Sequence, residues 1–178
     1  LLILKMGVKW FAKASYELSD GGLSTAESEA IAKTIQSVPG MLHLHHLRTR
    51  KMGAQVFCDV HIEVPPRVSV SEGHYIGHQV RLKLMERHPM IADVTVHVDV
   101  EGQVADEMRR PLKSRRQLFK RYQQRWSEVI PETAFQGLQI HYLNEQMELE
   151  FQVSLGWFSS QTLSQQALQA ALETIFEE

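Results

Sequence analysis

The chain has 178 residues, of which 43% are apolar and 22% are charged, and its formal net charge is −2. This composition is typical of a soluble globular protein of one domain or two small ones. A net charge this close to zero gives no overall attraction to nucleic acid or to an anionic membrane surface. The single cysteine, Cys58, excludes an internal disulfide framework and fits a reducing compartment. The chain begins at Leu1 rather than Met and shows no signal-peptide pattern, so we expect a piece of a longer protein.

Residues 1–20 are predicted to form a helix, because apolar residues recur at helical spacing and lysines share another face. The apolar stripe consists of Leu4, Val8, Phe11, Ala12 and Leu18, and the lysines are Lys5, Lys9 and Lys13. A complete membrane span needs about 20 mainly apolar residues, and three lysines exclude one here. Two interpretations remain: the cytoplasmic end of a transmembrane helix, with Trp10 and the lysines at the interface, or an amphipathic helix packed on a soluble domain.

The next part of the chain has the predicted order α-β-β-α-β, an α+β fold with an open sheet and helices on one face. Ser24 and Glu27 have the spacing of a capping box at the start of the first helix. The predicted elements are a helix at about 25–37, strands at about 42–50 and 55–64, a helix from Ser69 or Ser71 to about Arg87, and a strand at about 93–100.

Residues 101–112 are predicted to be a polar linker, and residues 113–178 a second unit of order α-β-β-α. Its predicted elements are a helix at about 113–129, strands at about 136–143 and 147–154 joined at Asn144-Glu145, and a helix at about 161–177. An offset of 91 residues superimposes the apolar positions of the two hairpins: Leu47 on Leu138, Val60 on Phe151, Ile62 on Val153 and Val64 on Leu155.

The same offset places glutamines where the first unit has histidines: His45 on Gln136, His61 on Gln152 and His74 on Gln165. Glutamine keeps the polarity of histidine but is a poor ligand for zinc. We therefore interpret residues 113–178 as a degenerate repeat that has kept the fold and lost the site.

Eight of the nine histidines lie before residue 100, where the predicted fold brings several within reach of one another. His97 and Asp99 are two residues apart on a strand, so their side chains leave the same face. His74 and His78 are four residues apart on a helix and share a face, as metal-binding pairs on helices do.

His45 and His61 lie on neighbouring predicted strands and are cross-strand neighbours within a register error of one residue. A mixed set of imidazole and carboxylate donors is typical of sites for zinc and its first-row neighbours. His43 and His46 flank His45, and their positions are compatible with exposed bystanders, whereas we interpret His88 and His141 as residues without a metal role.

Other function classes have weaker support in the sequence. A basic run between residues 109 and 125 precedes a segment that carries only acidic charges, which favours internal pairing or a solvated face over a nucleic-acid surface. The sequence has no phosphate-binding glycine loop, no Ser/His/Asp arrangement and no signature of a nucleophilic cysteine. Cys58 is in phase with Val56 and Val60 and is expected to be buried and inert.

Three segments together resemble a known family: VPGMLHLHHLRTRKMGAQVFCDVHIEV, SEGHYIGHQV and ADVTVHVDV. They resemble the cytoplasmic C-terminal domain of cation diffusion facilitator (CDF) transporters, proton-coupled exporters of zinc and related divalent metals, and the resemblance covers about residues 1–100. It implies a metallochaperone-like, ferredoxin-like αββαβ fold for residues 23–100, a homodimer, and metal binding that draws the two copies together and promotes export. It also implies that residues 1–22 are the end of the last transmembrane helix and its linker, with Asp20 in a hinge contact.

The resemblance implies five metal ligands in this sequence: His45, His61, His74, His97 and Asp99. His46 and His78 stand where the family commonly has aspartate, and they are candidates for auxiliary ligands. Zinc is the expected metal, with cadmium, cobalt, nickel, iron and manganese as alternatives. The expected location is the cytoplasmic face of the cell (inner) membrane, with the protein's own transmembrane domain as a partner and no nucleic acid.

Two rival functions are weighed against this one. The first is a purely structural dimerisation module whose histidines are hydrogen-bonded and bind no metal. The second is an enzyme that activates a zinc-bound water, as three protein ligands and an open position can do. The sequence supplies no general base beside the ligands and no substrate-pocket signature, so we expect no enzyme.

Overall fold

The computed structural model describes residues 1–18, 22–101, 112–143 and 146–176. The chain separates into two compact units, Leu1–Gln103 and Val104–Glu178. Three predicted features lie outside the described residues: the hinge at Asp20, the linker 101–112 apart from its two end residues, and the turn at Asn144-Glu145.

The predicted N-terminal helix is present as α1, Leu2–Leu18. Its apolar side chains are largely exposed, with values of 68% for Leu4, 62% for Val8 and 75% for Phe11. This part of the stripe does not pack on the described part of the chain, which contradicts the interpretation of an amphipathic helix packed on a soluble domain. Among the described residues, no helix is both long enough and apolar enough to cross a membrane.

Helix α2, Thr25–Gln36, begins with the predicted capping box. The backbone N–H of Glu27 donates to Ser24 Oγ at 3.4 Å, and the backbone N–H of Ser24 donates to Glu27 Oε2 at 2.9 Å. These hydrogen bonds satisfy two backbone donors that the first turn of a helix leaves without partners. Hydrogen bonds from Ser24 also hold the pKa of Glu27 below its ordinary value. The other side of α2 buries Ile31 and Ile35 in the core.

The first unit contains a three-stranded sheet of order β1-β2-β3, so β2 is the central strand. Its strands are β1 (His43–Met52), β2 (Gln55–Val64) and β3 (Ile91–Val100), and helix α3 (Val70–Arg87) connects β2 to β3. β1 and β2 are antiparallel and joined by a tight turn in which Gly53 has φ 62°, a backbone conformation that favours glycine. β3 pairs with β2 in parallel, as a strand returning after a helical crossover does. The predicted α-β-β-α-β order is confirmed.

Alternation along β2 divides the sheet into a covered face and an open face. The covered face carries Val56, Val60 and Ile62, all with 0% exposure, and it packs against α2 and α3. Helix α3 contributes its predicted inner residues Ile76, Val80 and Leu84 to this core. The open face, which we define as the side of β2 that carries Asp59, His61 and Glu63 together with the side chains beside them on β1 and β3, lies opposite both helices.

The second unit has the predicted α-β-β-α order with one additional short helix. Its elements are α4 (Arg115–Ser127), β4 (Phe135–Leu143), β5 (Gln146–Val153), α5 (Leu155–Ser160) and α6 (Gln165–Phe176). Its core is aromatic, with Tyr122 and Trp126 of α4 packed against Phe151 and Phe176. The predicted equivalence of Leu155 with Val64 is wrong, because Val64 is buried at the end of β2, whereas Leu155 begins α5 and is 77% exposed.

The two hairpins have the same register at the offset of 91 residues. Leu138 pairs with Phe151 as Leu47 pairs with Val60. Both first strands also carry a register shift at the same place, between Leu44 and His46 in β1 and between Phe135 and Gly137 in β4. A bulge at one position is a backbone feature that apolar patterning alone does not require. This correspondence supports the interpretation of the second unit as a repeat.

Candidate metal centre

Three of the predicted ligands lie together on the open face, on the two neighbouring strands β2 and β3. His61 of β2 lies beside His97 of β3 in the register of the sheet, and Glu63 lies beside Asp99. The imidazole rings of His61 and His97 are stacked, with centroids 4.4 Å apart and an angle of 14° between their planes. His61 Nδ1 is 3.2 Å from Asp99 Oδ2. Sheet pairing therefore brings two imidazoles and one carboxylate into contact.

The first strand presents a different histidine to this group from the one predicted. His46, and not His45, is the Cα partner of His61 across β1 and β2, because the register shifts between Leu44 and His46. The rings of His46 and His61 have centroids 5.8 Å apart and planes at 80°. His45 Nδ1 is instead 3.5 Å from Glu63 Oε1. The expected pairing of His45 with His61 is therefore corrected by one residue.

His74 and His78 do not join this group within one chain. Both lie exposed on α3, which packs against the covered face of the sheet. The sheet itself separates them from the open face, so one copy of the chain cannot bring all five predicted ligands to one ion.

The imidazole and carboxylate groups of the open face are suitable ligands for a divalent metal. Their side chains, however, are not oriented toward one common ion. In the described part of the chain, no group of three or more His, Cys, Asp or Glu side chains is arranged to hold a metal ion. The rings of His61 and His97 are stacked nearly parallel rather than turned toward a common point. The second side-chain torsion of histidine has broad energy minima. Because the His97 side chain is also exposed, rotation of its ring costs little energy.

Most of the first unit is similar to a known family of domains. A family model described as the cytoplasmic domain of cation efflux proteins matches residues 23–101. We refer to residues 23–101 as the cation efflux domain, after the family model that matches them. The resemblance read from the sequence is thereby confirmed for this part of the chain.

Relatives of the cation efflux domain occur in plants and bacteria. Metal tolerance protein 2 of Oryza sativa subsp. japonica is 39% identical over 97 residues, which are 54% of this chain and 25% of that protein. Metal tolerance protein C1 of Arabidopsis thaliana is 36% identical over 98 residues, 55% of this chain and 21% of that protein. Cation-efflux pump FieF of Salmonella newport is 30% identical over 99 residues, 56% of this chain and 33% of that protein. The chain thus spans a third or less of the length of these relatives.

Solved structures of MamM CTD variants are also similar to the chain. One of them is 26% identical, with a TM-score of 0.42, and the match covers 43% of this chain and 95% of that one.

Two histidines outside this group, His88 and His141, lie beside polar side chains, and Cys58 is buried. His88 follows α3 and its Nε2 lies 2.9 Å from the hydroxyl of the buried Thr34. His141, in the second unit, has its Nε2 3.7 Å from Glu150 Oε2. Cys58 is 1% exposed within the core of the cation efflux domain, and burial raises the pKa of its thiol to about 11. That these three residues take no part in metal binding stays a prediction.

Glu63 is a polar residue of the open face that the sequence interpretation did not select. It is 15% exposed in its side chain and contacts His45. The alternation of β2 was the available signal, because Glu63 is two residues from His61 and therefore leaves the same face of the strand.

Proposed function

We propose that residues 23–101 are the regulatory domain of a proton-coupled divalent cation exporter, which senses cytosolic zinc and dimerises to promote export. The match to cation efflux domains supports the assignment to an exporter, and relatives named metal tolerance proteins and a cation-efflux pump support metals as the cargo. The observation that carries the sensing role is the contact of His61 with His97 and Asp99 on the open face.

The position of His74 suggests how metal binding is coupled to dimerisation. A site that includes a ligand from α3 needs a second copy of the chain, because the sheet separates α3 from the open face. In the proposed dimer, His61, His97 and Asp99 of one copy are joined by the partner subunit's His74. Metal then favours the closed dimer only by the difference between its affinities for the closed and the open arrangement.

Zinc fits this donor set best. Imidazole nitrogen is a ligand for zinc, copper, iron and nickel, whereas sites for magnesium, calcium and manganese favour oxygen. Three imidazoles with one carboxylate therefore favour zinc, with cadmium, cobalt, nickel and iron as alternatives and manganese the weakest of them.

A zinc titration of the full chain tests the proposal, with calorimetry for binding and analytical ultracentrifugation for association. We expect zinc to bind and to convert monomer to dimer. His97→Ala should abolish both effects, and His74→Ala should reduce dimerisation more than binding. His43→Ala is the matched control, because His43 is an exposed histidine of the same sheet with no proposed role. If the wild type binds zinc but its molecular mass in ultracentrifugation does not change, the proposed coupling of metal binding to dimerisation is contradicted.

The structural dimerisation module remains the alternative, and the same titration separates the two. Its histidines would make hydrogen bonds only, as His61 Nδ1 does near Asp99 Oδ2 at 3.2 Å. In that case the wild type would dimerise without metal, and zinc would bind no more tightly than about millimolar.

We further propose that residues 1–22 join this domain to the protein's own membrane domain, on the cytoplasmic face of the cell membrane. The exposed apolar side chains of α1, among them Trp10 at 64%, fit the boundary of an apolar phase. The fluorescence difference between wild type and Trp10→Phe isolates the signal of Trp10. This difference should shift to shorter wavelength with zwitterionic lipid vesicles, and an unchanged spectrum would oppose the proposal. A hinge role for Asp20 stays a prediction.

A further inference from the structure

Basic and acidic side chains are segregated along the sequence of the second unit. Residues 113–125 contain six basic residues and no acidic one, and residues 126–178 contain eight glutamates and no lysine or arginine. The net charge of the whole chain, −2, hides this separation. A local patch of one charge can attract a surface of the opposite charge although the protein as a whole is nearly neutral.

The fold of the second unit converts this separation along the chain into a separation between two sides of the unit. Helix α4 packs through Tyr122 and Trp126 against Leu149 on one side of the β4–β5 sheet. Glu148 and Glu150 flank Leu149 in β5 and are exposed, so they leave the sheet on the opposite side. The outer surface of α4 and these glutamates therefore face in opposite directions.

The start and the outer surface of α4 carry exposed cations that we call the basic face: Lys113, Arg115, Arg116 and Lys120. Arg116 and Lys120 are four residues apart and lie on the side of the helix turned away from the buried Tyr122. Among the described residues, none of these four cations forms an ion pair with a carboxylate. Their charge is therefore available to a partner outside this part of the chain.

The cations at the start of α4 do not serve the stability of the helix. Negative charge is favoured in the first turn of a helix, because the backbone N–H groups there carry a partial positive charge. Helices α2 and α3 follow this rule with Glu27 and Glu72, whereas the first turn of α4 has no acidic residue and contains Arg115 and Arg116. A local rule broken in this way is typical of residues that serve a function other than folding.

The surroundings of the basic face favour lipid headgroups over two other partners. Single-stranded nucleic acid is held by exposed rings on which bases stack, but the rings of Phe119, Tyr122 and Trp126 pack in the core of the second unit. The glutamates of a second copy would complement the cations, but such a contact joins opposite sides of the unit and is head-to-tail. Head-to-tail contacts form rings or filaments rather than the dimer proposed above. Anionic headgroups, in contrast, require only cations near a surface.

We infer that the basic face of the second unit binds the anionic lipid headgroups of the membrane that holds the exporter. This inference rests on the proposed function, because that function places the chain at the cytoplasmic side of a membrane. The cytoplasmic leaflet carries anionic lipid, and a domain joined to a membrane protein stays within reach of it. Weak electrostatic binding is then sufficient, since the tether keeps the effective concentration of headgroups high.

Co-sedimentation of the full chain with lipid vesicles, in the presence of a chelator, tests the inference. Vesicles of phosphatidylcholine alone are compared with vesicles that contain about one quarter phosphatidylserine. Each basic residue near an anionic surface increases partitioning about fivefold, so Arg116→Gln/Lys120→Gln should bind the mixed vesicles about 25-fold less tightly than the wild type. This difference should shrink at about 0.5 M salt, which screens the attraction. Binding to phosphatidylcholine alone, through the exposed apolar side chains of α1, should be equal in both proteins.

Two further variants are matched controls. Lys33→Gln/Arg87→Gln removes the same charge from exposed positions of the cation efflux domain and should bind the mixed vesicles as the wild type does. Arg116→Lys/Lys120→Arg keeps the charge of the basic face and should also match the wild type. Glutamine is a good helix former, and loss of a cation from the first turn favours the helix, so exchange protection of the α4 amides should not fall in Arg116→Gln/Lys120→Gln.

The outcomes separate this inference from the proposed function. Undiminished binding of Arg116→Gln/Lys120→Gln to the mixed vesicles would overturn the inference. Equal losses in that variant and in Lys33→Gln/Arg87→Gln would also overturn it, because binding would then follow net charge. A loss of affinity for a labelled DNA duplex, with no loss on vesicles, would assign the face to nucleic acid instead. A wild type that binds neither kind of vesicle would refute the proposed membrane location as well.

Discussion

Replacing Gly77 by alanine should destabilise the cation efflux domain, although alanine is the better helix former. Gly77 lies in the middle of α3 where the helix meets β3, and a Cβ there would lie 3.1 Å from Val98 Cγ2 and 3.5 Å from Val96 Cγ1. Valine is stiff at its first torsion, so these methyl groups cannot turn away freely. Overpacking of this kind costs about 1–3 kcal/mol. The gain in helix propensity is about 0.8–1.0 kcal/mol, which leaves a net loss of about 0–2 kcal/mol.

Gly73→Ala is the matched control on the same helix. A Cβ at Gly73 would lie 3.4 Å from Val98 Cγ1, which is close to ordinary van der Waals contact. This variant should therefore keep most of the propensity gain and be neutral or stabilised by up to about 1 kcal/mol. The two variants should differ by about 1–3 kcal/mol although they make the same chemical change in one helix.

Amide hydrogen exchange of β2 in the full chain measures this difference without interference from the second unit. The amides of a central strand commonly exchange by global opening of their own domain, so their protection reports its free energy of unfolding. Protection in Gly77→Ala should fall below that in Gly73→Ala by about one to two orders of magnitude, following the free-energy difference above. Equal protection in the two variants, or greater protection in Gly77→Ala, would refute the packing argument.

Three further predictions concern the thiol, the helix cap and the second unit. The Cys58 thiol has its pKa raised by burial to about 11, so it should react slowly with a thiol reagent at pH 8 until the protein unfolds. Because the pKa of this thiol is higher in the folded than in the unfolded protein, its contribution to stability is complete below about pH 9 and is lost as the pH rises toward 11. Cys58→Ala should therefore lessen the fall in stability over this pH range. Ser24→Ala should lower the free energy of opening measured by exchange of the α2 amides by about 1 kcal/mol, whereas Ser28→Ala, inside the same helix and outside the cap, should cost little. The double variant His61→Ala/His97→Ala should bind no zinc in the full chain, and residual binding would show that a metal site exists outside the pair of His61 and His97.

The sequence predicted the elements and the faces of the first unit because they depend on local patterning. The alternation of β2 identified its buried side chains, and the spacing of Ser24 and Glu27 identified the start of α2. These signals act over a few residues, and the structure confirms them. The same reasoning placed His97 and Asp99 on one face of β3.

The bulge in β1 and the separation of His74 from the other predicted ligands were not available from the sequence. A bulge shifts the register by one residue, and His45 and His46 are both histidine, so composition could not show which one faces His61. The predicted equivalence of Leu155 with Val64 failed for a related reason. The apolar character of Leu155 fits a strand, but the chain turns after Val153 and begins α5.

By itself, the sequence determined that the protein has an αββαβ unit rich in histidine, because periodicity and ligand chemistry are properties of short segments. The tertiary structure decided which donors meet. Parallel pairing of β3 with β2 brings His61, His97 and Asp99 together, and the register shift in β1 adds His46. Packing of α3 on the covered face keeps His74 away from them, since a sheet one layer thick separates its two faces. Contacts between distant segments depend on register and layering, and these are set only when the whole sheet forms.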